Sequence, residues 1–284
     1  MNTVLHVLMA GGEMLLRLAV VVFLAPVLSG LALTVAQPLR DGIRPPVSAR
    51  WRRLDVLCGQ GCTGAPLRPV VCCALAVVAA LCSPFTRDGY VLPGADDVLV
   101  LVMSLMALRL LLAGGEADDA AGRTGFAALS LPAVLLVVAL VAGRGSTLLT
   151  GGMMHDSAVA ILGGLSLVMA GVRGLPDEEE HFACVSGADR AMLLLASDME
   201  RFLWLLLAGR MVAGGIFPAV SGFAGEVSAV LAMLVILALL SAVSGGLITP
   251  VWREMRFRAG AALLLALMAM AFAAQGSLSF AGGV

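Results

Sequence analysis

The residues best able to do chemistry in this chain are its acids, and they gather in two places. Asp177, Glu178, Glu179 and Glu180 are four consecutive carboxylates, followed by His181. Carboxylates this close cannot all stay ionised cheaply once water is withdrawn, so a folded-in loop would leave one able to carry a proton near neutral pH. In a solvated loop the same run is only a polar connection. The second group interrupts an apolar stretch: Asp198, Glu200, Arg201 and Arg210 crowd residues 191–213, with Glu226 beyond. A charge at the centre of a membrane span costs about 2.5–3.5 kcal/mol on insertion scales, so such groups face a protein interior or a wet cavity. Asp198 and Arg201 are three apart, close enough to share one helix face. Two readings follow for them, a self-neutralised structural pair and part of a proton-conducting track.

Composition says which elements must position these groups. Of 284 residues, 60% are hydrophobic and 13% charged, and the mean hydropathy is +1.01. A soluble domain carries about 25% charged residues and cannot hide this much apolar surface. A soluble enzyme, a disordered chain and a nucleic-acid binder are thereby excluded, and a net charge of −1 gives no electrostatic case for nucleic acid. Apolar runs recur, each long enough to cross a hydrocarbon core of about 30 Å. They predict eight helices, over residues 13–36, 67–84, 96–113, 126–143, 155–172, 191–213, 225–244 and 257–276. The expected fold is all-α, one polytopic transmembrane bundle over 1–284. An arginine-rich loop at 37–66 and an acidic loop at 173–190 connect its helices.

Loop charge orients the bundle. All 18 basic residues are Arg. Loops after odd-numbered helices hold Arg40, Arg44, Arg50, Arg52, Arg53, Arg68, Arg123, Arg173, Arg190, Arg253, Arg256 and Arg258, and the opposite side holds only Arg87 and Arg144. That bias of twelve to two places the odd loops in the cytoplasm and both termini in the periplasm, for a bacterial inner membrane. Glu116, Asp118 and Asp119 share the inner face, so it carries both signs densely, as a docking surface for a soluble partner would. Glu13, Arg17 and Arg109 lie near run ends, from which long side chains can snorkel to the interface.

Several chemistries lack their residues. Cys72, Cys73 and Cys82 fall inside an apolar run, where Cys acts as a small hydrophobe. Cys58 and Cys62 form one C-x3-C pair with no second pair or neighbouring His, which reads as a loop more readily than as a metal or redox site. There is no P-loop, no dinucleotide fingerprint, no haem or iron–sulfur ligand cluster and no nucleophile with a base partner. No catalytic residue, metal ligand or cofactor is expected in the chain itself.

Two loops carry longer motifs. The first reads Arg40-Asp41-Gly42-Ile43-Arg44-Pro45-Pro46 and continues to Trp51-Arg52-Arg53-Leu54-Asp55-Val56-Leu57. The second has Pro176-Asp177, Glu180 three residues on, Gly187 ten after the aspartate, and Asp189; Ala121-Gly122-Arg123 stands before the fourth predicted helix. In these features the chain resembles the membrane-subunit family shared by respiratory complex I (its subunit 1, or H), the group 4 energy-converting NiFe-hydrogenases and the formate hydrogenlyases. Arg44 stands where that family has a glycine, and the phenylalanine of its proline–phenylalanine–aspartate motif is absent. The short chain is closer to the hydrogenase branch, similar to the corresponding membrane proteins of the Ech-type hydrogenases and of formate hydrogenlyase.

The resemblance implies a cofactor-free subunit in the lipid bilayer. It would anchor a hydrogenase-like large subunit with a NiFe centre and an iron–sulfur small subunit with 4Fe-4S clusters, next to an antiporter-like membrane subunit. Arg40, Arg44, Arg50, Arg52, Arg53, Asp55 and Arg123 would hold the partner. Electron transfer there would perturb Asp177, Glu179 and Glu180. The effect would pass through Asp198, Glu200, Arg201, Arg210 and Glu226 to drive H+ or Na+ across the membrane. Two other readings are a quinone-site subunit of a complex I-like NADH dehydrogenase and a free-standing secondary transporter. A transporter would carry an inverted repeat with helices broken at matching places, for which Pro26, Pro132 and Pro218 are candidates.

Overall fold

Apolar sequence of this kind folds as helix because each helix satisfies its own backbone hydrogen bonds and needs no water to do so. A computed structural model of the chain describes residues 2–41, 45–61, 67–83, 98–113, 157–171, 182, 185–216, 234–243 and 260–272. Among the described residues there are eight helices and no strand. They are α1 (Asn2–Asp41), α2 (Ala49–Gly59), α3 (Leu67–Leu81), α4 (Val98–Ala113), α5 (Ser157–Gly171), α6 (Gly187–Ile216), α7 (Leu234–Val243) and α8 (Gly260–Phe272).

Seven of the predicted apolar runs coincide in part or whole with one of these helices; the eighth, 126–143, lies outside the described residues. The helix that brings the described number to eight is α2, which forms inside the loop expected at 37–66. One segment among them, Met14–Pro38 within α1, is long and apolar enough to cross a membrane by length and composition; the apolar helices at α3, α4, α7 and α8 are shorter. α6 has 30 residues, but Asp198, Glu200 and Arg201 break its apolar stretch.

α6 is the axle of the arrangement, with α1, α2, α3, α4 and α5 all packed against it. From Ala196 to Gly209 every residue is buried, whichever way it points. A helix covered on all sides needs apolar residues all round, and Leu203, Leu205, Leu206 and Leu207 supply them. Polar side chains link neighbouring backbones. The Ser166 hydroxyl donates to the Ala262 carbonyl at 2.8 Å, joining α5 to α8. The Ser241 hydroxyl donates to the Leu28 carbonyl at 2.6 Å, joining α7 to α1. Arg68 of α3 donates from Nε to the Leu111 carbonyl at 3.0 Å and from Nη2 to the Leu112 carbonyl at 2.9 Å. These are last-turn carbonyls of α4, where helix geometry leaves acceptors unfilled and the helix dipole favours a cation.

The exterior is the reverse of the interior. Leu16 is 65% exposed on α1, Met103 59% on α4, Leu239 61% on α7 and Leu264 58% on α8. Arg17, Arg50, Arg109, Asp189, Asp198, Glu200 and Arg201 are buried. Large apolar side chains outside and charges inside is the opposite of the usual distribution in water.

Candidate functional site

The buried charges converge on the middle of α6. Its first turns, through Ala191-Met192-Leu193-Leu194-Leu195-Ala196, are strong helix formers. They carry Asp198 eleven residues past Gly187, a rise of about 16 Å at the α-helical 1.5 Å per residue. Two residues further, Glu200 is turned by about 200° around the helix axis. The two carboxylates therefore face opposite sides of α6, and one arginine cannot serve both.

Each has its own. Arg50 of α2 donates from Nε to Asp198 Oδ2 at 2.9 Å and from Nη2 to Oδ1 at 3.0 Å, a bidentate fork with both side chains buried. That geometry is the strongest an arginine and a carboxylate form. Arg109 of α4 brings Nε to 3.6 Å from Glu200 Oε1, an ion-pair contact longer than a hydrogen bond. The same oxygen accepts from Trp204 Nε1 at 2.9 Å, one helical turn along α6. Arg201 and Asp189 are also buried on this helix.

α2 is held at both ends as well as by Arg50. Its inward face is Arg50, Leu54 and Leu57, an i, i+4, i+7 stripe. Before it, the Val47 carbonyl lies so close to Gly30 of α1 that a Cβ there would overlap it. Beyond its C-terminal end, the Gly61 carbonyl accepts from the Ala188 N–H at 2.9 Å. Gly187 next to that bond has φ +63°, a left-handed conformation, and a Cβ there would also overlap the Gly61 carbonyl. Trp51 meets Phe23 of α1 with ring centroids 5.7 Å apart, tilted by 41°. The arginine-rich segment is thus a built part of the bundle, joined to α1 and to the start of α6.

The predicted path residues divide accordingly. Asp198, Glu200 and Arg201 come together in the interior. Arg210 falls on α6, with its side chain outside the described set, while Asp177, Glu179, Glu180 and Glu226 lie outside the described residues. Both Asp198 oxygens are engaged by Arg50 from another helix.

Of the docking residues, Arg52 and Asp55 are exposed on α2 and Arg53 is half-buried. Arg50, expected to hold a partner, is 2% exposed and its guanidinium is engaged by Asp198 of α6. Arg40 closes α1 with its side chain outside the described set, and Arg44 and Arg123 lie outside the described residues.

Sequence reasoning missed the partners of the two acids. Arg109 was expected to snorkel outward and is 1% exposed instead, because α6 supplies the carboxylate it needs. Arg17 likewise turns inward and donates to the Ser83 carbonyl at 3.2 Å. The i, i+4 spacing of Glu200 and Trp204 was the one local signal available.

Among the described residues no three His, Cys, Asp or Glu side chains gather as a metal site. Cys58 is exposed on α2, and Cys62 lies outside the described residues. Compared with protein-family models and with curated proteins, the chain matches none. What the geometry offers chemically is a pair of desolvated carboxylates whose charge is compensated by arginines from two different helices.

Proposed function

We propose that this chain is a membrane-embedded, cofactor-free subunit of an energy-converting respiratory-type oxidoreductase, similar to the group 4 NiFe-hydrogenases. In that role it anchors a soluble electron-transfer module and couples redox chemistry to movement of H+ or Na+. The observation that carries the reading is the cluster Arg50–Asp198 and Arg109–Glu200–Trp204 at the centre of α6, inside helices whose outer faces are apolar. Buried charge is expensive and is retained where it serves a path or a switch. The apolar outer faces of α1, α3, α4, α7 and α8 suit a multi-pass subunit, and the arginine bias of the loops is what the reading of a bacterial inner membrane with periplasmic termini rests on. Arg52 and Asp55 on α2 are exposed where that reading requires a charged docking face.

The hydrogenase-like large subunit, the iron–sulfur small subunit and the antiporter-like neighbour rest on the resemblance of the two loop motifs. So do the NiFe and 4Fe-4S centres of those partners. Affinity purification of the full chain from its native membranes tests the reading directly. Co-purifying subunits with iron–sulfur absorption are expected; the chain recovered alone, or only with copies of itself, overturns the reading in favour of a secondary transporter. In the intact complex, Asp198→Asn is expected to abolish ion pumping at least about tenfold more than it slows electron transfer.

A further inference from the structure

The two faces of α2 belong to different surroundings: Arg52 and Asp55 point outward, while Arg50 reaches Asp198, the most buried carboxylate among the described residues. Only two positions separate Arg50 from Arg52 on one short helix, so the outer face and the ion pair move as a unit. α2 is also attached at its ends, to Gly30 of α1 and to the Gly187–Ala188 step of α6, and along its length by the Trp51–Phe23 ring contact with α1. Its own inward apolar contacts are Leu54 and Leu57. Eleven residues with two buried leucines make a marginal element, because an isolated helix shorter than about 12–15 residues is not stable by itself. The Arg50–Asp198 fork is a buried, bidentate tie between this short helix and α6, and coupling between the seating of α2 and the state of Asp198 is necessarily reciprocal.

We propose that Arg50 is a positioning residue that makes the seating of α2 and the charge of Asp198 interdependent. With Asp198 charged, α2 is locked against α6. With Asp198 neutral, the fork is lost and α2 loosens; displacing α2 by a partner on its outer face withdraws Arg50 and uncovers Asp198. The inference rests on the proposed coupling role, but its machinery is internal to this chain and can be tested without any partner.

Hydrogen–deuterium exchange on the full chain in lipid nanodiscs reads the first half. Asp198→Asn and Arg50→Gln are each expected to raise exchange across 50–59 by at least about tenfold, with α4 and α5 unchanged. Glu200→Gln, which touches Arg109 and Trp204 rather than α2, is expected to leave 50–59 alone. Labelling with a hydrophobic carbodiimide, read by mass spectrometry, tests the reciprocal half. Asp198 is expected to be refractory in the wild-type chain and reactive in Arg50→Gln, with Arg50→Lys in between.

Unchanged exchange across 50–59 in a folded Asp198→Asn chain overturns the proposal. So does equal carbodiimide labelling with and without Arg50. If Asp198→Asn does not fold, Arg50→Gln decides by the same two readouts, since it leaves α6 itself unaltered. These outcomes are independent of whether iron–sulfur subunits co-purify, so failure here and failure of the oxidoreductase reading are told apart.

Discussion

α1 and α6 are both long helices, 40 and 30 residues, and they are built on opposite plans. α1 shows Leu15, Leu16 and Phe23 to the outside. α6 hides Asp198, Glu200 and Arg201 and packs against five other helices. Hydrophobicity alone would rank α1 as the core element, yet it is α6 that sits in the middle. The difference teaches that position in this bundle is decided by where charges find partners. A helix with two carboxylates at mid-length must be surrounded by the helices that carry their arginines, whereas α1, whose charge at Arg17 is met by the one carbonyl of Ser83, can turn apolar side chains outward.

The strongest way to break that contrast is to leave an arginine buried without its acid. Asp198→Ala strips the fork from Arg50, and loss of one member of a buried pair costs about 3–5 kcal/mol. Unfolding of the purified chain in detergent should show it as the largest effect of any single truncation in the cluster. Trp204→Phe is a finer cut. It keeps the ring in the core and removes one hydrogen bond to the Glu200 carboxylate, an interaction of about 1.5–3 kcal/mol when the acceptor is charged. The same unfolding assay reads it, and combining it with Glu200→Gln should cost less than the sum of the two single losses, because both changes act on the same hydrogen bond. On the other side of the contrast, Leu16→Ala on the outer face of α1 should change stability by no more than about 0.5 kcal/mol. A loss on the scale of about 2–5 kcal/mol there, as for a buried leucine, would mean that α1 also has a protein neighbour on that face.

Much of the scaffold was legible because apolar runs are long, and length is what a helix in apolar surroundings must show. The run at 67–84 became α3 and that at 191–213 became the middle of α6. α2 was not legible as a helix, since Ala49–Gly59 is polar on average and lies in a segment dense with arginine. The signal was present in a different form, as Arg50, Leu54 and Leu57 on one face, but it required an arginine to be read as an inward residue. Asp198 and Glu200 announced themselves by being charged in an apolar stretch. Their partners did not, because Arg50 and Arg109 are 148 and 91 positions away in the chain. Only the packing of three helices brings them together.

Gly187 carries a consequence for the two charged segments of the chain. The acidic stretch ends where α6 begins, and the arginine-rich stretch ends at Gly61; the backbones of both meet at this one left-handed step. The described ends of the two segments, Gly61 and the Gly187–Ala188 step, are thus riveted together. Any side chain placed at 187 would pull that rivet, parting the end of the arginine-rich stretch from the start of α6 while leaving every charge in the sequence.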